Sequence, residues 1–399
     1  MCMIAFSCEQ ADINIPTASD EMKPIRFTTQ SEWPDITKAP VTGLGDLLND
    51  GFIVWGAWAK DPDDQSYFIG DYSTGVNGSV FGTSGTLVSA VDGDENGVFA
   101  PNEDGSEDTW TYESERNWYR GYYSFAAILP ASTVGTGVDD IVESAALTSF
   151  FEKTGTGDEV QISYTNALTV TFPKNGLMLG GHNIVKDIEV PEADNKDLMF
   201  AFQTEDNSDN QSDNVSLNFS HAFAKLGINL LANDHKKIPF VTKVTLYGLY
   251  TSATALTLTQ ETTIENYRSN AEDKSVETTF DVQGTISTET EPFAVFTMPD
   301  GHFTEDDTPG DMTLVQKLIV FPQHLAAQGD NPSHPLYIKI DYRKEIEPES
   351  ESESNDPPRY TDETSSYTIT LDRGTLEPGG NYVFSFLVDD IDFNEMNNN

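Results

Sequence analysis

Phe52-Ile53-Val54-Trp55-Gly56-Ala57-Trp58-Ala59 is an unbroken apolar run of strand length. Similar strand signals recur on both sides of it. Residues 161–172 alternate, placing Ile162, Tyr164, Leu168, Val170 and Phe172 on a common face. Val215, Leu217 and Phe219 alternate in the same way, as do Val244, Leu246 and Tyr250. Two late runs follow, Tyr367, Ile369, Leu371 and Tyr382, Phe384, Phe386, Val388. Turns rich in Gly, Asn, Asp and Pro separate them, which is the pattern of antiparallel sandwiches. Helix signals are poor. Residues 139–151, with Ala145-Ala146-Leu147 among them, have a helix-like mix, and residues 221–225 could form one turn between two strands. Neither is long enough to organise a helical domain.

A chain of 399 residues suits two domains of ordinary size. The polar stretch at 206–214, Asp-Asn-Ser-Asp-Asn-Gln-Ser-Asp-Asn, marks the division. The expected arrangement is a leader over 1–23, an N-terminal β-sandwich over 24–205 and a C-terminal one over 206–399. The Glu- and Ser-rich segment 345–358 can bury nothing and reads as a mobile loop between strands.

Charge excludes one class of partner. Lys plus Arg total 22 against 66 Asp plus Glu, a net charge of -44. Such a chain repels phosphate backbones, so nucleic acid is not a partner. Its acidic surface is solvated and suits multivalent cations. The only cysteines, Cys2 and Cys8, lie at the start. A disulfide framework and a structural zinc site are therefore excluded from the folded part. No stretch approaches the roughly 18 apolar residues of a membrane-spanning helix. Ala5-Phe6-Ser7 before Cys8 looks like the end of a secretory signal with a lipobox. Lipidation of Cys8 is expected, leaving a lipid anchor as the only membrane attachment.

Motifs of catalysis are missing. None of His182, His221, His235, His302, His324 and His334 sits in a His-Glu-x-x-His frame. No nucleophile elbow, phosphate-binding loop or dinucleotide fingerprint occurs. The chain is therefore read as a non-enzyme. One cofactor motif is present: Asp92, Asp94 and Asn96, the Val98 carbonyl and Glu103 fit the spacing of a calcium loop. A solvated hairpin loop is the competing reading, because Pro101 sits where a helix should begin and the flanks read as strands. The aromatics Trp110, Tyr112, Trp118, Tyr119, Tyr122 and Tyr123 read either as core or as a sugar-stacking platform. His221, between Phe219 and Phe223, reads as a satisfied core or turn residue.

Several segments, in order, resemble the fimbrillin family of the Bacteroidales, the subunits of type V pili and related surface lipoproteins. Ile25-Arg26-Phe27-Thr28-Thr29 resembles the family's first strand, and Thr37-Lys38-Ala39 its basic-Ala step. Gly51-Phe52-Ile53-Val54-Trp55 is similar to its next strand. Trp110-Thr111-Tyr112, Asn117-Trp118-Tyr119 and Tyr123-Ser124-Phe125-Ala126-Ala127-Ile128-Leu129-Pro130 resemble its aromatic run. Later matches are Phe219-Ser220-His221-Ala222-Phe223-Ala224-Lys225, Leu318-Ile319-Val320-Phe321-Pro322-Gln323 and Leu376-Glu377-Pro378-Gly379-Gly380-Asn381-Tyr382.

This resemblance implies an all-β fold of two transthyretin-like antiparallel β-sandwich domains in tandem. It further implies export as an outer-membrane lipoprotein and cleavage between Lys38 and Ala39, which frees a groove for a strand from another pilus subunit. Lys38 stands where an Arg is usual in the family. Beyond Val388 only Ile391 and Phe393 precede Glu395-Met396-Asn397-Asn398-Asn399, a poor donor strand. The expected role is thus a tip or minor subunit of a fimbrium, facing a host or bacterial surface receptor. A glycan-binding surface lipoprotein using the Trp110–Tyr123 aromatics is the alternative.

Overall fold

The computed structural model describes residues 25–29, 51–59, 79–90, 110–113, 116, 118, 121–131, 134–135, 141–155, 161–185, 198–207, 214–231, 240–265, 273–297, 311–327, 333–346 and 359–387. These residues form strands and turns and no α-helix. The first strands are β1 (Arg26–Thr29), β2 (Phe52–Ala59), β3 (Ser79–Ala90), β4 (Trp110–Tyr112), β5 (Tyr122–Leu129) and β6 (Ser144–Thr154). Next come β7 (Gln161–Thr171), β8 (Leu177–Met178), β9 (His182–Val185), β10 (Met199–Asp206), β11 (Asn214–Leu217) and β12 (Ser220–His221). They are followed by β13 (Ala224–Leu231), β14 (Phe240–Tyr247), β15 (Tyr250–Glu265), β16 (Asp273–Ile286), β17 (Ala294–Thr297) and β18 (Asp311–Val320). The last are β19 (Gln323–His324), β20 (Leu336–Ile346), β21 (Arg359–Leu371), β22 (Thr375–Leu376) and β23 (Asn381–Leu387).

The six-stranded sheet β12-β10-β5-β2-β3-β4 is the middle layer of the first half. It is covered on both faces, so every residue of β5 is buried, which explains the unbroken apolar run of its neighbour β2. One face carries Phe52, Val54, Phe81 and Phe125 and is capped by the ribbon β1-β11. The other carries Trp55, Ala126 and Ile128, in one cluster with Leu168 and Val170 of the sheet β16-β15-β7-β6. Strand β7 shows the clean alternation of a strand with one inner face.

Beyond this, β21-β20-β14-β17-β9 and β18-β13-β23 form two further sheets. Their inward residues, including Val244, Leu246, Ile338, Ile340, Leu226 and Ile228, continue the same buried cluster. Hydrogen bonding runs across position 206: β7 pairs with β15 and β9 with β17. Gln323, from the Leu-Ile-Val-Phe-Pro-Gln segment, donates from Nε2 to the carbonyls of Gly248 (2.8 Å) and His334 (2.6 Å). That amide therefore stitches two connections together inside the core.

Two sequence expectations are corrected. Residues 144–151 of the expected helix belong to strand β6, which is aligned with β7 from Ser144↔Thr171 to Thr154↔Gln161. Leu147 and Ser149 point inward while Thr148 and Phe150 are exposed, a period of two. Pairing and burial override the helix propensity of the alanine pair. At 221–225 the chain bends at Ala222 and Phe223 without forming a helical turn. Three parallel pairs, β1/β11, β13/β23 and β9/β17, accompany the antiparallel ladders.

Candidate functional site

The most distinctive local arrangement is the seat of β1. A strand of four residues makes few ladder bonds, so side chains must hold it. Arg26 is exposed, whereas Ile25 and Phe27 are each only 1% exposed. Their inward direction is the strand period at work. Phe27 enters an aromatic socket built from four elements. Its ring centroid lies 5.8 Å from Phe52, 5.7 Å from Phe81, 6.0 Å from Tyr112 and 5.9 Å from Phe125. The contacts with Phe52 and Phe125 are near-perpendicular, the edge-to-face geometry that ring quadrupoles favour.

Among the described strands β1 pairs only with β11. Its ladder is with β11, running from Arg26↔Asn214 to Thr29↔Leu217 in parallel. On the other side the Ile25 N–H donates to the Arg116 carbonyl at 2.7 Å. The Tyr112 hydroxyl donates to the Ile25 carbonyl at 2.8 Å and accepts from the Arg116 N–H at 3.1 Å. Arg116 Nε in turn donates to the Val80 carbonyl at 3.0 Å. Tyr112 and Arg116 thus clamp the start of β1 against the sheet rim.

Glycine shapes the socket. At Gly56 an added β-carbon would lie 3.0 Å from the Phe81 ring and 3.2 Å from Phe125, so its absence lets those rings settle beneath Phe27. Gly85, at φ +74°, sits in a break of the β2/β3 register. A β-carbon there would be 2.5 Å from Ile53 Cγ2 and 2.8 Å from the Trp55 ring.

The residues proposed from sequence fall elsewhere. Cys8, Lys38, Ala39 and the calcium-loop residues Asp92, Asp94, Asn96, Val98 and Glu103 lie outside the described residues. Among the described residues no group of three His, Cys, Asp or Glu is placed to hold a metal. Of the aromatic cluster, Trp110, Trp118, Tyr122 and Tyr123 are core, with Trp118 only 2% exposed and packed on Tyr123 at 4.7 Å. They offer no open stacking platform. His221 is half-buried in β12, opposite Met199.

One charged cluster lies on the outer sheet of the second half. Lys243 Nζ is 2.8 Å from Asp341 Oδ2, and Ser366 Oγ donates to Oδ1 at 2.6 Å. Burial pushes the Asp341 carboxyl up. The hydrogen bonds from Lys243 and Ser366, with the charges of Lys243 and Lys339, outweigh it and hold the group below its ordinary range.

Comparison with known proteins gives a family. The family model described as fimbrillin-like matches residues 69–395. A candidate cell adhesion protein of Bacteroides ovatus is 14% identical, with 91% of each chain covered and a TM-score of 0.33. A candidate cell adhesion protein of Bacteroides fragilis is 10% identical over 91% of this chain and 88% of that one, TM-score 0.22. A candidate adhesin of Bacteroides ovatus is 11% identical over 95% and 94%, TM-score 0.23. No curated protein matches.

Proposed function

The chain belongs to the fimbrillin-like family, and on that premise we propose that it is a structural subunit of a cell-surface pilus or adhesin completed by strand exchange. It is a structural protein and not an enzyme. The observation that carries the reading is the seat of β1. Two side chains, Ile25 and Phe27, plug a buried aromatic socket from a short strand bonded to β11. Such a strand can be replaced by any other that presents apolar residues at the same alternation, which is β-augmentation in trans.

In this reading, cleavage between Lys38 and Ala39 frees the segment that carries β1. A strand from another subunit then takes the positions of Ile25 and Phe27. A lipid on Cys8 holds the precursor at the outer membrane. Between 388 and 394 the apolar residues are Val388, Ile391 and Phe393, an irregular spacing for a donor strand. In this reading the chain is a tip or minor subunit that accepts a strand at the β1 seat and meets a host or bacterial receptor.

Limited digestion of the full chain with a lysine-specific protease tests this. Mass spectrometry is expected to find the product beginning at Ala39, and unheated gels to show detergent-resistant multimers once shaft subunits are added. A product that keeps residues 25–29 bound and forms no multimers would refute strand exchange for this chain.

A further inference from the structure

Away from the β1 seat, on the other face of the middle sheet, a second concavity opens between β10 and β16. Its volume is about 420 Å³, within the range of small-ligand sites. Phe202 and Thr262, both nearly fully buried, lie at its base. Gln203, Asn218, Gln260 and Thr278 stand around them. Amides and hydroxyls both donate and accept, so this lining matches a ligand whose own groups do both. Gln203 is held in place: its Nε2 donates to Glu205 Oε1 at 2.8 Å and to the Thr204 carbonyl at 3.4 Å.

The edge of β10 adds main-chain groups. Asn207 and Gly121 exchange both backbone bonds, so by the antiparallel alternation the odd residues of β10 bond to β5. The N–H and C=O of Phe202 and Thr204 therefore face away from β5. On that side β12 reaches only Met199 and Phe200, and no other described strand continues the pairing. Two residues of edge are too few to hold a docked peptide strand, but they add the N–H groups of Phe202 and Thr204 and the Phe202 carbonyl to the cleft, the Thr204 carbonyl already accepting from Gln203 Nε2 at 3.4 Å.

Charge narrows the ligand. Lys274 and Glu377 contribute one charge of each sign, and a chain of net charge -44 repels anions. The apolar surfaces of Phe202 and Val276 suit C–H faces. We propose that this cleft binds a neutral carbohydrate of one or two rings. The site is separate from the strand seat and does not depend on strand exchange.

The test uses the intact chain on an array of neutral, sialylated and sulfated glycans, followed by calorimetric titration with the best neutral disaccharide. Thr278 lines the cleft, whereas Thr279 points to the opposite face of the same exposed strand. Thr278→Trp is expected to weaken binding at least tenfold, while Thr279→Trp leaves it unchanged. Matching thermal melts of the two tryptophan variants establish that both are folded. Binding to no neutral glycan, to anionic glycans only, or equally to wild type and Thr278→Trp overturns the proposal. So does capture of extended peptides at the β10 edge without any sugar binding.

Discussion

Replacing Phe27 with Ala removes a ring that is 1% exposed and touches four other aromatics. A buried Phe→Ala change costs about 3–5 kcal/mol when the surroundings stay put. Here the cost has a ceiling. If β1 is a separable plug, the strand leaves once its docking free energy is exhausted, and further damage to it changes nothing. Ile25→Ala alone is expected to cost about 2–5 kcal/mol, yet the double variant should cost little more than Phe27→Ala. Arg26→Ala, on the exposed side, should stay within about 0.5 kcal/mol. Urea unfolding followed by tryptophan fluorescence reads these values, since Trp110 and Trp118 belong to the same cluster. Amide exchange supplies the local readout: β1 and β11 lose protection while β7 and β15 keep theirs. The reasoning fails if Phe27→Ala costs under about 1 kcal/mol, or if the two alanine costs add fully, because then β1 is an integral strand.

Three further outcomes follow from the same packing. Asp341 has a folded pKa below its unfolded one of about 3.9. Its contribution is therefore present above that pH and lost as pH falls through the folded value. Stability measured from pH 6 down to pH 2 should decline less steeply in Asp341→Asn than in wild type, and equal slopes would contradict the ion cluster. Gly85→Ala should cost more than 1–3 kcal/mol, on the order of a strained left-handed residue plus its clash with Trp55, read as a lowered midpoint in urea. Trp118→Ala should lower stability by about 3–5 kcal/mol and leave any glycan binding intact, since the ring is core.

How legible all this was depends on how local its cause is. The alternation of β7 and the apolar run of β2 are written in consecutive residues, and both are strands as read. The segment Ile25-Arg26-Phe27-Thr28-Thr29 was read as a strand only by its resemblance to the family, and that Ile25 and Phe27 face inward comes from the fold. Strand β6 was not legible, because Ala145-Ala146-Leu147 carries helix propensity that only its pairing with β7 overrides. The parallel ladder of β1 with β11 joins segments far apart in the chain, and no local pattern announces it. Tyr112 and Arg116 likewise act through main-chain groups of Ile25, which leave no sequence signature. The cleft beside β10 draws on β15, β16 and the turn at Glu377, a meeting that only the fold creates.

Locking β1 in place tests strand exchange most directly. Thr28 and Ser216 are register partners across β1 and β11, so cysteines at both positions, with Cys2 and Cys8 changed to Ser, can tie the plug to its seat. After cleavage at Lys38 and mixing with shaft subunits, the reduced protein is predicted to enter detergent-resistant multimers and the oxidised protein to stay out of them. Equal entry of both forms would contradict exchange at the β1 seat.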